Sequence, residues 1–200
     1  MQYINLFPTP LFIDDQLVLA KEILPVAEDY INQHGIKYLG QESYDSTYSI
    51  NSASLLQQND FRLNKLNNYI STVSRKYFAD NCIDSSMWTL KPYYLFNKIK
   101  AGGTHQAHTH PGSILSGCFY LKVPQNSPPI IFNDPRVYWK FIHYAINFGR
   151  PREDYKLLPE YVINPIEGTF LMWPSWLEHQ VPTSISSEER ICVAFNLNPN

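Results

Sequence analysis

The chain has 200 residues, enough for one domain with a sizeable core. Hydrophobic residues make up 44% and charged residues 17%, which excludes a disordered chain. A formal net charge of -2 excludes a strong electrostatic pull toward duplex nucleic acid or an anionic membrane surface. Residues 1–86 read as helix and loop. Asp14 and Asp15 are placed to cap a helix carrying Leu17, Leu19, Ile23 and Leu24, which Pro25 is expected to bend or interrupt. Residues 40–51 are a polar Ser, Tyr and Thr stretch, read as loop with room for a strand. Leu63, Leu66, Ile70, Val73 and Tyr77 then recur at steps of three and four, predicting a helix over 61–78 with Asp60 at its N-cap.

From residue 87 the texture changes to strands. The runs 88–99, 114–123, 130–132, 169–173 and 191–197 are short and rich in β-branched or aromatic residues. Gly102-Gly103, Pro111-Gly112, residues 124–129, Gly168 and Pro174 punctuate them. Strands at this spacing predict a sandwich or barrel, with the double-sheet jelly roll a natural member. Residues 137–161, with Trp139, Phe141, Tyr144 and Phe148, interrupt the rhythm and read as a substrate lid or a surface helix on the sheet. The expectation is one structural domain, with a region 1–86 packing on a β core of 87–200. Cys82, Cys118 and Cys192 are few, odd in number and unpaired in spacing, which suits reduced thiols in the cytoplasm. Residues 1–11 lack the pattern of a signal peptide, and no stretch approaches the ~20 apolar residues of a membrane span.

Half of the six histidines fall within six residues: His105, His108 and His110. Residues two apart on a strand share a face, so His108 and His110 can converge on one ion. His179, at the expected start of a strand, is placed to be the distal third ligand. Two close ligands and one distant one make a facial triad with open positions, and imidazoles favour iron, zinc, copper or nickel over magnesium or calcium. The alternatives are an incidental cluster of exposed histidines or a structural zinc site, the latter without neighbouring cysteines to support it. His34 and His143 fit no such pattern and read as surface or core.

The run His108-Thr109-His110-Pro111-Gly112-Ser113-Ile114-Leu115-Ser116-Gly117, followed by Phe119-Tyr120-Leu121, resembles the metal-binding stretch of the 2-oxoglutarate/Fe(II) oxygenases. Phe132-Asn133-Asp134-Pro135-Arg136 resembles a later motif of one small subgroup. So do Pro165-Ile166-Glu167-Gly168, Trp173-Pro174-Ser175-Trp176, His179, Arg190 and Phe195-Asn196, and residues 6–12 resemble its N-terminus. The resemblance covers most of 87–197 in ordered blocks. It implies a mainly β, double-stranded β-helix fold (jelly roll, cupin-like) with N-terminal helices packed on one sheet. It also implies Fe(II), 2-oxoglutarate as co-substrate, O2, and hydroxylation of a C–H bond in a small-molecule or peptide substrate, with release of succinate and CO2. Neither duplex nucleic acid nor a membrane is an expected partner, and there is room for a homodimer.

In that family a basic residue grips the distal carboxylate of 2-oxoglutarate, and Arg190, eleven residues after His179, matches it; a guanidinium fork suits the task. Its other reading is an ion pair with Glu188 or Glu189. Tyr120 or Tyr94 could add a hydroxyl. One departure matters: the family pattern is His-x-Asp/Glu with a distal His, whereas the residue two after His108 is His110. The ligands could be His108, His110 and His179; Asp134 could instead supply a carboxylate; or His105 and His108 could be the pair. Asp134, Glu178 or Asn196 could accept the other N–H of a ligating histidine. A cupin-like three-histidine dioxygenase that needs no 2-oxoglutarate, and a non-catalytic β-sandwich module, are the rival functions, with Arg190 as discriminator.

Overall fold

Alternation along the strands sorts two sets of side chains, one toward helices and one toward a cavity. In the computed structural model, which describes residues 8–48, 60–86, 88, 91–146, 148 and 159–198, two antiparallel sheets face each other. The larger runs β1 (Phe12–Asp15), β9 (Thr169–Pro174), β6 (Leu115–Lys122), β11 (Arg190–Asn198), β4 (Lys91–Ile99), β3 (Tyr44–Ser46) and β2 (Ile36–Lys37). The smaller runs β5 (His105–His108), β10 (His179–Val181), β7 (Ile130–Asn133) and β8 (Glu160–Ile163). From β4 onward the chain alternates between the sheets, apart from the β7–β8 step. This is the jelly roll, or double-stranded β-helix, of the sequence expectation.

β11 shows how the pattern works. Ile191, Val193, Phe195 and Leu197 pack with the helices, while Arg190, Cys192, Ala194 and Asn196 line the cavity. β9 divides likewise, with Phe170 and Met172 on the helix side and Leu171 and Trp173 inside. Because both faces are covered, β9 is buried throughout rather than alternating with solvent. Gly117 on β6 is required by close approach: a Cβ there would overlap the Phe195 ring and sit 2.5 Å from the Leu171 carbonyl oxygen.

The helices α1 (Leu17–His34) and α2 (Asn64–Asp80) cover the outer face of the larger sheet. α2 follows a 3-10 turn over Phe61–Leu63, and its stripe of Leu63, Leu66, Ile70, Val73 and Tyr77 is buried as expected. Asp60 caps it by accepting the Arg62 backbone N–H at 2.9 Å. Two N-terminal expectations need correction. Asp14 and Asp15 do not cap α1, since they pair in β1 with Phe170 and Thr169, and the N-cap is Gln16. Sheet pairing takes their backbone, and the Asp14 carboxylate accepts from Tyr69 and Gln16 instead. Nor does Pro25 interrupt the helix: it lies on the exposed face, as does Lys21, whose carbonyl it leaves without a helical donor. Burial of Ala20, Ile23, Val26, Ala27, Tyr30 and Ile31 along the opposite face offsets the lost bond.

Residues 40–51 contribute β3, although 49–51 lie outside the described residues. In the 137–161 insert a surface helix, α3 (Val137–Ile146), forms; Tyr138, Phe141 and Tyr144 are exposed and His143 is buried. Residues 149–158 of that insert, and Leu6 and Phe7 of the N-terminal motif, are outside the described residues. Among the described residues no helix is long and apolar enough to cross a membrane.

Candidate metal centre

Cross-strand pairing builds the centre of the cavity. β10 lies between β5 and β7, and His179 stands directly opposite His108. Side chains so paired start about 5 Å apart, and the two rings meet at a centroid distance of 4.3 Å. His110 arrives differently from the sequence expectation. β5 ends at His108, so the two histidines do not share a strand face. His110 sits in the following turn, where its N–H donates to the Ser175 carbonyl at 2.9 Å and its carbonyl accepts from Ser113. This places its Nε2 3.3 Å from Nε2 of His179.

One donor atom from each of His108, His110 and His179 lies within 4.8 Å of the others. Nδ1 of His179 is 2.9 Å from the Leu177 carbonyl, and Nδ1 of His108 is 2.7 Å from that of Gln106. A carbonyl only accepts, so each Nδ1 carries the proton and each Nε2 presents its lone pair. These backbone carbonyls, two residues upstream, take the role foreseen for Asp134, Glu178 or Asn196. Burial holds the rings neutral, pushing His179 down to about 2, His110 to about 4 and His108 below its usual range. Two nitrogens bound to one ion at ~2.1 Å stand roughly 3.0–3.4 Å apart for right-angled to tetrahedral geometry. The 3.3 Å between Nε2 of His110 and Nε2 of His179 falls in that range, and a set of three imidazoles suits a borderline transition metal.

Arg190, on β11 of the facing larger sheet, is only 2% exposed. Its Nη1 donates to the Pro128 carbonyl at 3.1 Å, its guanidinium carbon lies 5.6 Å from the centre of the Tyr120 ring, and its Nε finds no protein acceptor. Glu189 pairs with Lys98 and Lys100 instead, and no described carboxylate pairs with Arg190. Burial works against the guanidinium charge, but Cys192, Tyr120, Cys118 and Tyr44 around it outweigh that and raise its pKa. The Tyr120 hydroxyl, fully buried, touches the Cys118 thiol and has no hydrogen-bond partner of good geometry. Trp173 Nε1, buried beside His179, is a third donor without an acceptor. All three line one cavity of about 830 Å³ together with the histidine triad.

The other candidates lie elsewhere. The Asp134 carboxylate is held by Arg136, at 2.9 Å from both N and Nε and 2.5 Å from Nη2, and is not part of the convergent group. Tyr94 points to the helix side and donates to Asn67. His105 reaches the cavity but has both ring nitrogens engaged by tyrosines. The fourteen Tyr of the sequence suit a pocket with polar-tipped aromatic walls, but which of them form it was not legible: they are Tyr38, Tyr44, Tyr48 and Tyr93. The first three come from the Tyr-rich stretch ahead of residue 51, which β3 brings in by pairing with β4, and Tyr93 lies on β4 itself.

Fold and site together define a non-haem metal enzyme built on a jelly roll. The model of the family described as "Putative 2OG-Fe(II) oxygenase" matches residues 95–196, just over half of the chain. The protein belongs to this family of 2-oxoglutarate- and Fe(II)-dependent oxygenases. No curated protein matches the sequence. Among solved structures, a Pseudomonas putida prolyl-4-hydroxylase is similar at 10% identity and a TM-score of 0.58, covering 96% of this chain and 94% of its own. HygX from Streptomyces hygroscopicus, crystallised with nickel and 2-oxoglutarate, matches at 10% identity and TM-score 0.61 over 96% and 84%. The alpha-ketoglutarate-dependent epimerase SnoN of nogalamycin biosynthesis matches at 14% and 0.64 over 96% and 77%. These likenesses concern the fold.

Proposed function

We propose that His108, His110 and His179 hold the Fe(II), and that Arg190 with Tyr120 binds the distal carboxylate of 2-oxoglutarate, in an enzyme that hydroxylates a C–H bond. The observation that carries this reading is the buried, carboxylate-free Arg190 in the same cavity as three convergent imidazole nitrogens. A buried guanidinium without a counter-ion costs several kcal/mol, which an anionic ligand offsets. The unpartnered donors on Arg190, Tyr120 and Trp173 call for an acceptor-rich molecule, and 2-oxoglutarate, with its two carboxylates and keto group, is one. When bound, the iron and 2-oxoglutarate supply oxygen activation, releasing succinate and CO2 as oxygen enters the substrate.

The chain's own residues do the positioning. The Leu177 and Gln106 carbonyls fix the tautomers of His179 and His108, while the packed walls of β9 and β11 exclude water. The outer wall, with Tyr38, Leu39, Tyr48, Tyr93 and Leu95, carries no Asp, Glu or Lys among the described residues. It suits an uncharged segment of a small molecule or peptide. The free cysteines Cys82, Cys118 and Cys192 support the reading of a cytoplasmic enzyme.

The test is anaerobic titration of the metal-free protein with Fe(II) and then 2-oxoglutarate, following the weak visible charge-transfer band of the chelate. The band is expected in the wild type, and it should need far more 2-oxoglutarate in Arg190→Ala. A folded wild type that shows no band would reject the reading. Equal 2-oxoglutarate affinity in Arg190→Ala would reject the role of Arg190, whereas oxygen uptake independent of 2-oxoglutarate and unharmed by Arg190→Ala would favour a dioxygenase without this co-substrate.

A further inference from the structure

We propose that His105 is a positioning residue for the metal centre, a ring held by two tyrosine hydroxyls that fixes the plane of the His108 imidazole. This rests on the ligand assignment above and goes beyond it. Residues three apart on a regular strand point to opposite faces, yet the His105 and His108 rings stack at 4.2 Å with 9° between their planes. The cause is in the pairing of β5 with β10: His179 faces His108, but Val181 faces His105. Two steps on β10 thus span three on β5, and the extra residue is a bulge that turns His105 onto the face of His108.

His105 itself has no lone pair to give to a metal. Tyr38 Oη lies 3.0 Å from its Nε2, and Tyr44 Oη lies 3.0 Å from its Nδ1. A neutral imidazole has one donor and one acceptor nitrogen, and a hydroxyl can serve either. Both are satisfied, so the ring is a fixed plate. The tyrosines are fixed in turn: Tyr44 is 1% exposed and Tyr38 packs on it at 4.6 Å. The backbone is clamped as well, because Gln41 both donates to the Thr104 carbonyl and accepts the Thr104 N–H, at 3.1 and 3.0 Å. Lys37 pairs with Asp45 at 2.8 Å across the same segment. The β2–β3 segment thus reaches the metal centre through the His105 ring, without touching an ion.

The test uses Co(II) as the probe, titrated anaerobically into the metal-free full-length protein and read by its d–d absorption and dissociation constant. Outer groups that orient a ligating histidine typically control metal affinity by about 10–100-fold. A weakening of that order, with an altered d–d spectrum, is expected for His105→Ala and for Tyr38→Phe combined with Tyr44→Phe. His105→Phe, which restores a flat ring against His108, should recover part of the loss. Tyr38→Phe alone, at a half-buried position, should shift affinity in the same direction with the metal-free melting temperature unchanged. Variants that match the wild type in affinity and spectrum would overturn the brace while leaving the ligand assignment standing. Loss of affinity only in step with loss of metal-free stability would also overturn it. A folded wild type that takes up no Co(II) would overturn the ligand assignment itself.

Discussion

Neutrality is the working property of His179. Burial pushes its pKa down to about 2, and the same cause takes His110 to about 4 and His105 to about 3. An unfolded histidine titrates near 6.5. Between that value and the folded ones, the unfolded chain binds protons that the folded chain does not, so folding is penalised as pH falls through that window. Stability of the metal-free protein is therefore expected to be intact above about pH 6.5. It should fall at lower pH, with His179 adding at most ~1.4 kcal/mol per pH unit. Urea midpoints at pH 7.5, 6.0 and 5.0 measure this, and a constant midpoint would contradict it. The metal competes with the same protons, so its affinity should drop over the same range. At this scale the sequence was informative where chemistry follows residue type: His108, His110, His179 and Arg190 meet in one cavity. It could not show which group orients each histidine, because the acceptors are backbone carbonyls, and every residue carries one.

Elements were legible where period and burial agree, as in the α2 stripe and the inside–outside alternation of β11. They were illegible where a neighbour decides. Asp14 and Asp15 have good cap chemistry but are claimed by β9, and the bulge of β5 exists only in register with β10. Pro25 is the clearest case of packing overriding propensity. Because its ring is exposed and the helix is already formed, Pro25→Ala should restore a backbone bond and stabilise the protein by about 1–3 kcal/mol, read from urea unfolding. No change, or a loss, would mean that the proline-free helix packs less well. Gly117→Ala runs the other way. Its Cβ meets the Phe195 ring and the Leu171 carbonyl between two central strands, so a loss of about 1–3 kcal/mol is expected. A variant as stable as the wild type would show that β6 and β9 can separate without cost.

At the scale of the whole molecule, two sheets close on a cavity that concentrates uncompensated polar groups, and folding and ligand binding must therefore be linked. The jelly roll buries Arg190 with a single carbonyl bond and the Tyr120 ring, and it gathers the buried His179 and the half-buried His108 and His110 facing one another. Each arrangement costs folding free energy in the metal-free protein, and under the proposed assignment each would be relieved by a different ligand: the imidazoles by a cation, the guanidinium by a carboxylate. A ligand at one hundred times its dissociation constant stabilises the folded state by about 2.7 kcal/mol. For a chain of this size that raises the melting temperature by roughly 5–10 °C. The wild type is thus expected to show two separable increments, one on adding Co(II) and a further one on adding 2-oxoglutarate. In Arg190→Ala the Co(II) increment should persist and the 2-oxoglutarate increment should shrink to a small remainder. In His179→Ala both should be lost under the proposed assignment, in which the co-substrate would be held in part through the metal. Relief of a buried charge adds a sign that activity assays cannot supply. Replacing Arg190 by a neutral residue of similar shape, as in Arg190→Met, should leave the metal-free protein no less stable than the wild type. A marked loss of metal-free stability in that variant would mean that the guanidinium is held for the fold, and that its place beside the triad is structural.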